Sequence, residues 1–135
     1  MVERPRVVYL DSSAIVKLVV HEEETDALRA YLGSAELISS LVATVEVPRA
    51  AHLKTGDPAT IGQADQVLAR FFLVSLDSGI RSLAARAQPP GLRTLDAIHL
   101  VAALQVSSRT EAAVIYDQRL AEAARASNVV VHAPR

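Results

Sequence analysis

Short runs of β-branched and aromatic residues alternate along this chain with longer segments of helical period. Five such runs read as strands: "RVVYL" (6–10), "AELIS" (35–39), "LVSL" (73–76), "AAVIYD" (112–117) and "NVVVH" (128–132). Strands separated by helices pair in parallel through right-handed crossovers. The sequence therefore predicts an α/β fold with a three-layer α/β/α arrangement.

The helical segments between these strands carry recognisable start and stop signals. Acidic residues open "EEETDALRAYLG" (22–33) and Gly33 suits its C-terminal cap, while Ser40 is a candidate N-cap for "LVATVEVPRAAHLKTG". Pro48 inside that second segment predicts a kink just after Glu46. "ATIGQADQVLARFF" (59–72), "DSGIRSLAARA", "TLDAIHLVAALQ" (94–105) and "QRLAEAARA" also read as helices, whereas "SSAIVKLVV" fits a strand or a helix.

Length and composition limit the class of protein. A chain of 135 residues with 50% hydrophobic content predicts one domain over residues 1–135. It contains no cysteine, which excludes disulfides and thiolate metal sites. The charged start "MVERPR" and the interrupted apolar runs predict a cytoplasmic protein without a membrane span. A net charge of −1 provides no general field for nucleic acid, although local arginine patches remain possible.

Four carboxylate side chains lie at positions that a parallel sheet and its helices would bring into one site. Asp11 and Asp117 follow strands, Asp96 lies in the first turn of a helix behind the candidate cap Thr94, and Glu46 lies in an otherwise apolar segment. Each also has an ordinary structural explanation. Asp11 and Asp117 would serve as N-caps, Asp96 would favour the helix dipole, and Glu46 would lie on a solvated face.

If these carboxylates lie close together, their negative charges must be compensated. Two unit charges about 4 Å apart repel by about 4 kcal/mol at an effective dielectric constant near 20, so protons, arginine or a metal must accompany them. Oxygen ligands without cysteine suit Mg²⁺ or Mn²⁺, which support phosphodiester hydrolysis. His99 lies on the same helix face as Asp96, and we expect it to pack or hydrogen-bond near the site rather than to catalyse.

Four blocks in order, "YLDSSAIVKL", "ATVEVPRA", "LDAIHLVAAL" and "IYDQRLAEAARA", resemble the PIN domain, and more narrowly the VapC toxins of bacterial VapBC toxin–antitoxin pairs. The resemblance runs from about Val7 to Pro134 and implies a five-strand parallel sheet with "SSAIVKL" as a helix. It also implies that four acids, Asp11, Glu46, Asp96 and Asp117, hold Mg²⁺ or Mn²⁺ for RNA cleavage, with Ser12 beside the first of them. From their positions on the helix of Asp96, we place Thr94 and His99 with Ser12 around these acids.

Pro48 lies two residues after Glu46 in the same helix, so a kink there would shift Glu46 relative to the other three acids. Arg119 lies next to Asp117 in sequence, where it would contact phosphate or simply occupy the surface.

The same resemblance implies partners. A VapB-type antitoxin would lay a helix or an extended segment in a groove of the toxin, and one of its arginines would enter the acidic cluster. We expect the apolar first half, "AIVKLVV" through "DALRAYL", to line that groove, and we expect a homodimer.

Other classes of protein fit less well. An aspartyl phosphatase would require a D-x-D pattern, but Ser13 stands at its third position, and a receiver domain would require a late lysine, but the last lysine is Lys54. An inactive PIN-fold module that acts through protein partners remains the alternative.

Overall fold

The computed structural model describes residues 4–135 and contains one five-stranded sheet. Its strands are β1 (Val7–Leu10), β2 (Glu36–Ser40), β3 (Phe71–Val74), β4 (Ala112–Val114) and β5 (Val131–His132). All four neighbouring pairs are parallel and the order is β3-β2-β1-β4-β5. The predicted parallel sheet of five strands is confirmed.

Seven helices in the described part of the chain cover the two faces of the sheet. They are α1 (Ser12–Val19), α2 (Thr25–Leu32), α3 (Ala43–Thr55), α4 (Ala59–Leu68), α5 (Ser78–Ala85), α6 (Thr94–Gln105) and α7 (Gln118–Ala126). The first four helices contact one another through α1 and α3, and the last three contact one another through α6. The helices thus form two layers around the sheet, as the alternating pattern predicts.

The central strand β1 divides its side chains between two cores because successive residues of a strand point to opposite faces. Val8 and Leu10 pack with buried residues of α1 to α4, whereas Tyr9 packs with buried residues of α6 and α7. All three side chains are fully buried. Burial on both faces explains why this strand is a continuous apolar run rather than an alternating one.

Several predicted boundaries were wrong. The strand predicted at residues 73–76 is β3 at Phe71–Val74, because the two phenylalanines pair with β2 instead of extending α4. Ser40 ends β2 and accepts a hydrogen bond from the Val42 N–H, so it is not the N-cap of α3. Thr94 is the first residue of α6, and Arg93 takes the cap position without a side-chain cap bond.

Two further helices differ in detail from expectation. The acids before α2 form a turn that is closed by the Glu22 N–H donating to Thr25 Oγ1, so α2 begins at Thr25. It ends at Leu32, and Gly33 is its C-cap with a φ of +51°. The α3 helix runs without a break through the buried Pro48. The ambiguous segment after Asp11 is the helix α1.

The strand order reverses between β1 and β4. The chain leaves β1 for β2 and β3 on one side and returns to the other side of β1 as β4. The two carboxyl ends lie side by side, and the Asp11 backbone N–H donates to the Val114 carbonyl (3.3 Å). Open α/β sheets bind ligands at such switch points. No helix within residues 4–135 is both long enough and apolar enough to cross a bilayer.

Candidate active site

A cavity of about 320 Å³ opens where β1 and β4 end, and we call it the acidic cavity. The structure brings all seven sequence-predicted site residues to its wall and adds three others. The predicted ones are Asp11, Ser12, Glu46, Thr94, Asp96, His99 and Asp117, and the added ones are Ser13, Arg93 and Leu95. Residues that are distant in sequence are therefore neighbours here.

Asp11 caps a helix and also faces the acidic cavity. Its carboxylate accepts hydrogen bonds from the Ala14 N–H (3.1 Å) and from Ser13 Oγ (2.7 and 2.8 Å). The residue is only 3% exposed, and burial raises the pKa of its carboxyl to about 6 despite those donors and the nearby His99. The capping explanation is correct and does not exclude a role in the cavity.

Glu46 is held by a chain of hydrogen bonds that begins in the core. The Tyr9 hydroxyl lies 2.7 Å from His99 Nδ1, and His99 Nε2 lies 2.8 Å from Glu46 Oε1. Ser12 Oγ donates to the same oxygen (2.8 Å). A carboxylate oxygen can only accept, so His99 Nε2–H donates to Glu46, and Nδ1 shares a hydrogen bond with the Tyr9 hydroxyl.

The electrostatic balance at Glu46 favours the carboxylate. Partial burial opposes its ionisation, but the hydrogen bond and the charge attraction from His99, together with the hydrogen bond from Ser12, outweigh burial, and the pKa of Glu46 is lowered. Burial keeps the pKa of Tyr9 well above its usual value, so its hydroxyl remains a donor. His99 is 2% exposed and hydrogen-bonds beside the acidic cavity, as expected from its position one turn after Asp96.

Arg93 lies between the other two carboxylates. Its guanidinium is 3.7 Å from Asp96 Oδ2 through Nε and 3.8 Å from Asp117 Oδ2 through Nη2. These distances are charge contacts rather than hydrogen bonds. Burial and the neighbouring Asp117 raise the pKa of Asp96, whereas Asp117 uses its other oxygen to accept from the Leu120 N–H (2.9 Å). The positive charge of one exposed arginine thus only partly compensates the negative charges of Asp96 and Asp117.

The donor set of the acidic cavity fits a hard divalent cation. Four carboxylates face one guanidinium, and all the acidic donors are oxygens, as Mg²⁺ and Mn²⁺ prefer. Burial raises the pKa of both Asp11 and Asp96, and the neighbouring Asp117 raises that of Asp96 further, so a bound cation would favour their ionised forms. Among residues 4–135, however, no three acidic or histidine side chains converge as a ready-made metal site. A bound ion would require Arg93 and the carboxylates to adjust.

Sequence reasoning missed some residues of the site and misplaced others. No motif or spacing in the sequence around Arg93 predicts that it lies at the acidic cavity. The contact between Tyr9 and His99 joins residues 90 positions apart, which no local pattern reveals. Arg119 is exposed and does not line the acidic cavity. The expected partner groove in the first half stays a prediction: Ala14, Ile15, Leu28 and Leu32 are buried in the core, whereas Leu18, Val19 and Tyr31 are only partly buried.

Fold and cavity together define a class: parallel α/β/α proteins with a carboxylate cluster at the switch point of the sheet. The sequence model of the PIN domain matches residues 8–126, which is most of the chain. This protein belongs to the PIN-domain family.

Relatives agree over nearly the full length. Ribonuclease VapC46 of Mycobacterium tuberculosis is 41% identical over 128 residues, which cover 94% of this chain and 97% of the relative. The crystal structure of M. tuberculosis VapC20, described as a sarcin-ricin loop cleaving toxin, superposes with a TM-score of 0.71 at 14% identity and covers 94% and 99% of the two chains. VapBC2 from Rickettsia felis, bound to a promoter DNA fragment, gives a TM-score of 0.68 at 10% identity over 96% and 99%. The predicted relationship to VapC toxins is confirmed.

Proposed function

We propose that this protein is a Mg²⁺- or Mn²⁺-dependent endoribonuclease, the toxin of a VapBC-type pair, built as a single PIN domain. The observation that carries this proposal is that Asp11, Glu46, Asp96 and Asp117 all line one cavity at the switch point. The ribonuclease name of a relative with 41% identity supports the same activity.

Asp11, Asp96 and Asp117 would hold the ion, and Glu46 would ligate it or orient a water. A divalent ion in such a site lowers the pKa of water and stabilises negative charge on phosphate oxygens. Two of these carboxylates are already held in place by neighbouring donors. Ser13 and the Ala14 N–H fix the Asp11 carboxylate, and His99 and Ser12 fix Glu46.

The remaining polar residues of the acidic cavity bind and orient RNA in this account. Arg93 is 70% exposed on its rim, so it can turn from the carboxylates to a phosphate of the substrate. Thr94 is exposed beside it and offers a hydroxyl. His99 acts as a positioning residue, since both of its ring nitrogens are engaged by Tyr9 and Glu46.

An unstacked, single-stranded or loop region of RNA suits this site, because a scissile phosphate can reach a cavity of this size only when the strand is accessible. We further propose a VapB-type antitoxin as inhibitor and a homodimer as the assembled form. The VapBC2 structural neighbour supports the antitoxin.

The test is cleavage of total bacterial RNA by the purified, antitoxin-free protein with Mg²⁺ or Mn²⁺, beside a chelated sample. Asp11→Asn is the inactivating variant. Asp77→Asn is the matched control, because Asp77 caps α5 with the same geometry, accepting from the Ile80 N–H (2.9 Å), but does not line the acidic cavity.

We expect cleavage by the wild type and by Asp77→Asn, and none after chelation or with Asp11→Asn. Cleavage that survives both chelation and Asp11→Asn would refute the mechanism. Absence of cleavage by folded wild type on every RNA would favour the inactive PIN-fold module that acts through protein partners.

A further inference from the structure

A second depression of about 510 Å³ adjoins the acidic cavity and runs along α1 and α3; we call it the side groove. The two spaces form one continuous surface because they share Ser12, Ser13, Glu46 and Leu95. Pockets for small ligands measure about 300–1,000 Å³, so the side groove has room for a nucleotide unit. A strand whose phosphate lies at the carboxylates can therefore continue into it.

The side groove has basic walls, in contrast to the acidic cavity. Lys17, Arg49 and Lys54 line it. Lys17 pairs with Glu22 (3.3 Å) and Glu24 (3.0 Å), and Lys54 pairs with Glu22 (3.4 Å). Both lysines are thus already neutralised by neighbouring acids.

Arg49 is different because it is exposed and, within residues 4–135, makes no ion pair and no side-chain hydrogen bond. The groove therefore offers one uncompensated guanidinium, which is the side chain best suited to bidentate binding of a phosphate.

Arg49 also has a fixed relation to the acidic cavity. It lies three residues after Glu46 on α3, so the two side chains share one helix face, with Cβ atoms about 5–6 Å apart. That separation resembles the spacing of successive phosphates along an RNA strand. If one phosphate lies at the carboxylates beside Glu46, the next phosphate along the strand lies within reach of Arg49.

The side groove also has exposed apolar side chains. Val45 is 62% exposed and Leu95 is 44% exposed, and both line the side groove. An unstacked base between two bound phosphates can pack against such a surface. The groove thus combines a cation for the backbone with an apolar surface for a base.

We infer that the side groove binds the RNA nucleotide adjacent to the scissile phosphate, with Arg49 contacting its phosphate and Val45 and Leu95 contacting its base. This inference rests on the proposed ribonuclease function. A polypeptide partner is the other possible occupant of the groove. The free guanidinium of Arg49, three residues after Glu46 on α3, favours RNA, since an antitoxin arginine entering the side groove would meet a like charge.

The experiment measures binding without cleavage. A fluorescein-labelled pool of short single-stranded RNAs of random sequence is titrated against the full-length Asp11→Asn protein in Mg²⁺ over a range of salt concentrations. Arg49→Gln, Arg49→Lys and Arg70→Gln are then added separately to this background. Arg70→Gln is the matched control, because it makes the same charge change at an exposed residue directly before β3. This residue lies at the amino-terminal ends of the strands, whereas the acidic cavity lies at their carboxyl ends.

For Arg49→Gln we expect affinity to fall about five- to tenfold at low salt, since one charge-assisted contact is lost. The slope of log affinity against log salt should also become shallower by about 0.7, the value for one phosphate contact on a single strand. Arg49→Lys should retain the slope, and Arg70→Gln should match the background protein.

If Arg49→Gln and Arg70→Gln have the same RNA affinity and the same salt slope, the inference is overturned, and a polypeptide partner becomes the favoured occupant of the side groove. Loss of slope in Arg49→Lys as large as in Arg49→Gln would also overturn it, because the charge is retained. Cleavage by otherwise wild-type protein is assayed separately. If RNA binding does not depend on Arg49 but the protein cleaves RNA, only the inference about the side groove is refuted. If binding depends on Arg49 but the protein does not cleave RNA, only the proposed ribonuclease activity is refuted.

Discussion

Replacing Asp11 by Asn should stabilise the metal-free protein while abolishing its cleavage of RNA. Asp11 is an acid whose folded-state pKa is raised from 3.8 to about 6 by burial. Its ionised form therefore destabilises the fold. The contribution of this group to stability is fully present below pH 3.8 and is lost as the pH rises through about 6.

The magnitude follows from the pKa shift. A shift of about two units corresponds to about 3 kcal/mol at neutral pH. Asn keeps an oxygen for the Ala14 N–H but replaces charge-assisted hydrogen bonds with neutral ones, which offsets part of this gain. We therefore expect about 1–2 kcal/mol, or an increase of about 3–8 °C in Tm for a domain of this size.

The assay is thermal unfolding in chelator at about pH 7.5 and about pH 4.5, with Asp77→Asn as the control. Asn and Asp are similar N-caps, so Asp77→Asn should shift stability by less than about 0.5 kcal/mol at either pH. The gain from Asp11→Asn should be present at the higher pH and largely absent at the lower one. An Asp11→Asn protein that is no more stable than wild type at about pH 7.5 would refute the reasoning.

Three further predictions concern the neighbours of the carboxylates. Tyr9→Phe removes a buried hydroxyl from His99 Nδ1 and should cost about 1–3 kcal/mol of the free energy of unfolding in urea, because the ring nitrogen loses its partner. His99→Gln should lower the cleavage rate about 10- to 100-fold without abolishing it, since Glu46 keeps its Ser12 contact; a rate equal to that of Asp11→Asn would contradict a positioning role. Arg93→Gln should tighten Mn²⁺ binding in calorimetry about fivefold, because it removes a cation about 4 Å from two carboxylates, and unchanged or weaker binding would contradict this.

The fold was predictable because local pattern and sheet geometry agree. A buried run such as "VVYL" followed by Asp11 indicates both the strand and the cap that starts the next helix. The positions of Asp11 and Asp117 after strands suffice to predict that they line one site, since parallel strands end at one edge of the sheet. The boundaries of β3 were not predictable in this way, because "RFF" continues the helical period of α4 and only pairing with β2 assigns it to the sheet.

The details of the site depend on contacts between distant segments. Thr94 has the side chain of an N-cap, yet Arg93 takes the extended conformation and its carbonyl accepts the first helical bond, from the Ala97 N–H. Arg93 then reaches across to Asp117. Nothing in the local spacing of either arginine, Arg93 or Arg49, distinguishes it from the exposed Arg119. Only the tertiary structure places Arg93 at the acidic cavity and Arg49 in the side groove.

The central claim is that the four carboxylates of the acidic cavity act together on one divalent ion. Calorimetric titration of Mn²⁺ into wild type, Asp96→Asn and Asp77→Asn tests it most directly. We predict saturable binding to wild type and to Asp77→Asn, and affinity at least about tenfold weaker for Asp96→Asn, because a ligand and a charge are lost together. Equal Mn²⁺ affinity in all three proteins, or no saturable binding to wild type, would contradict the account.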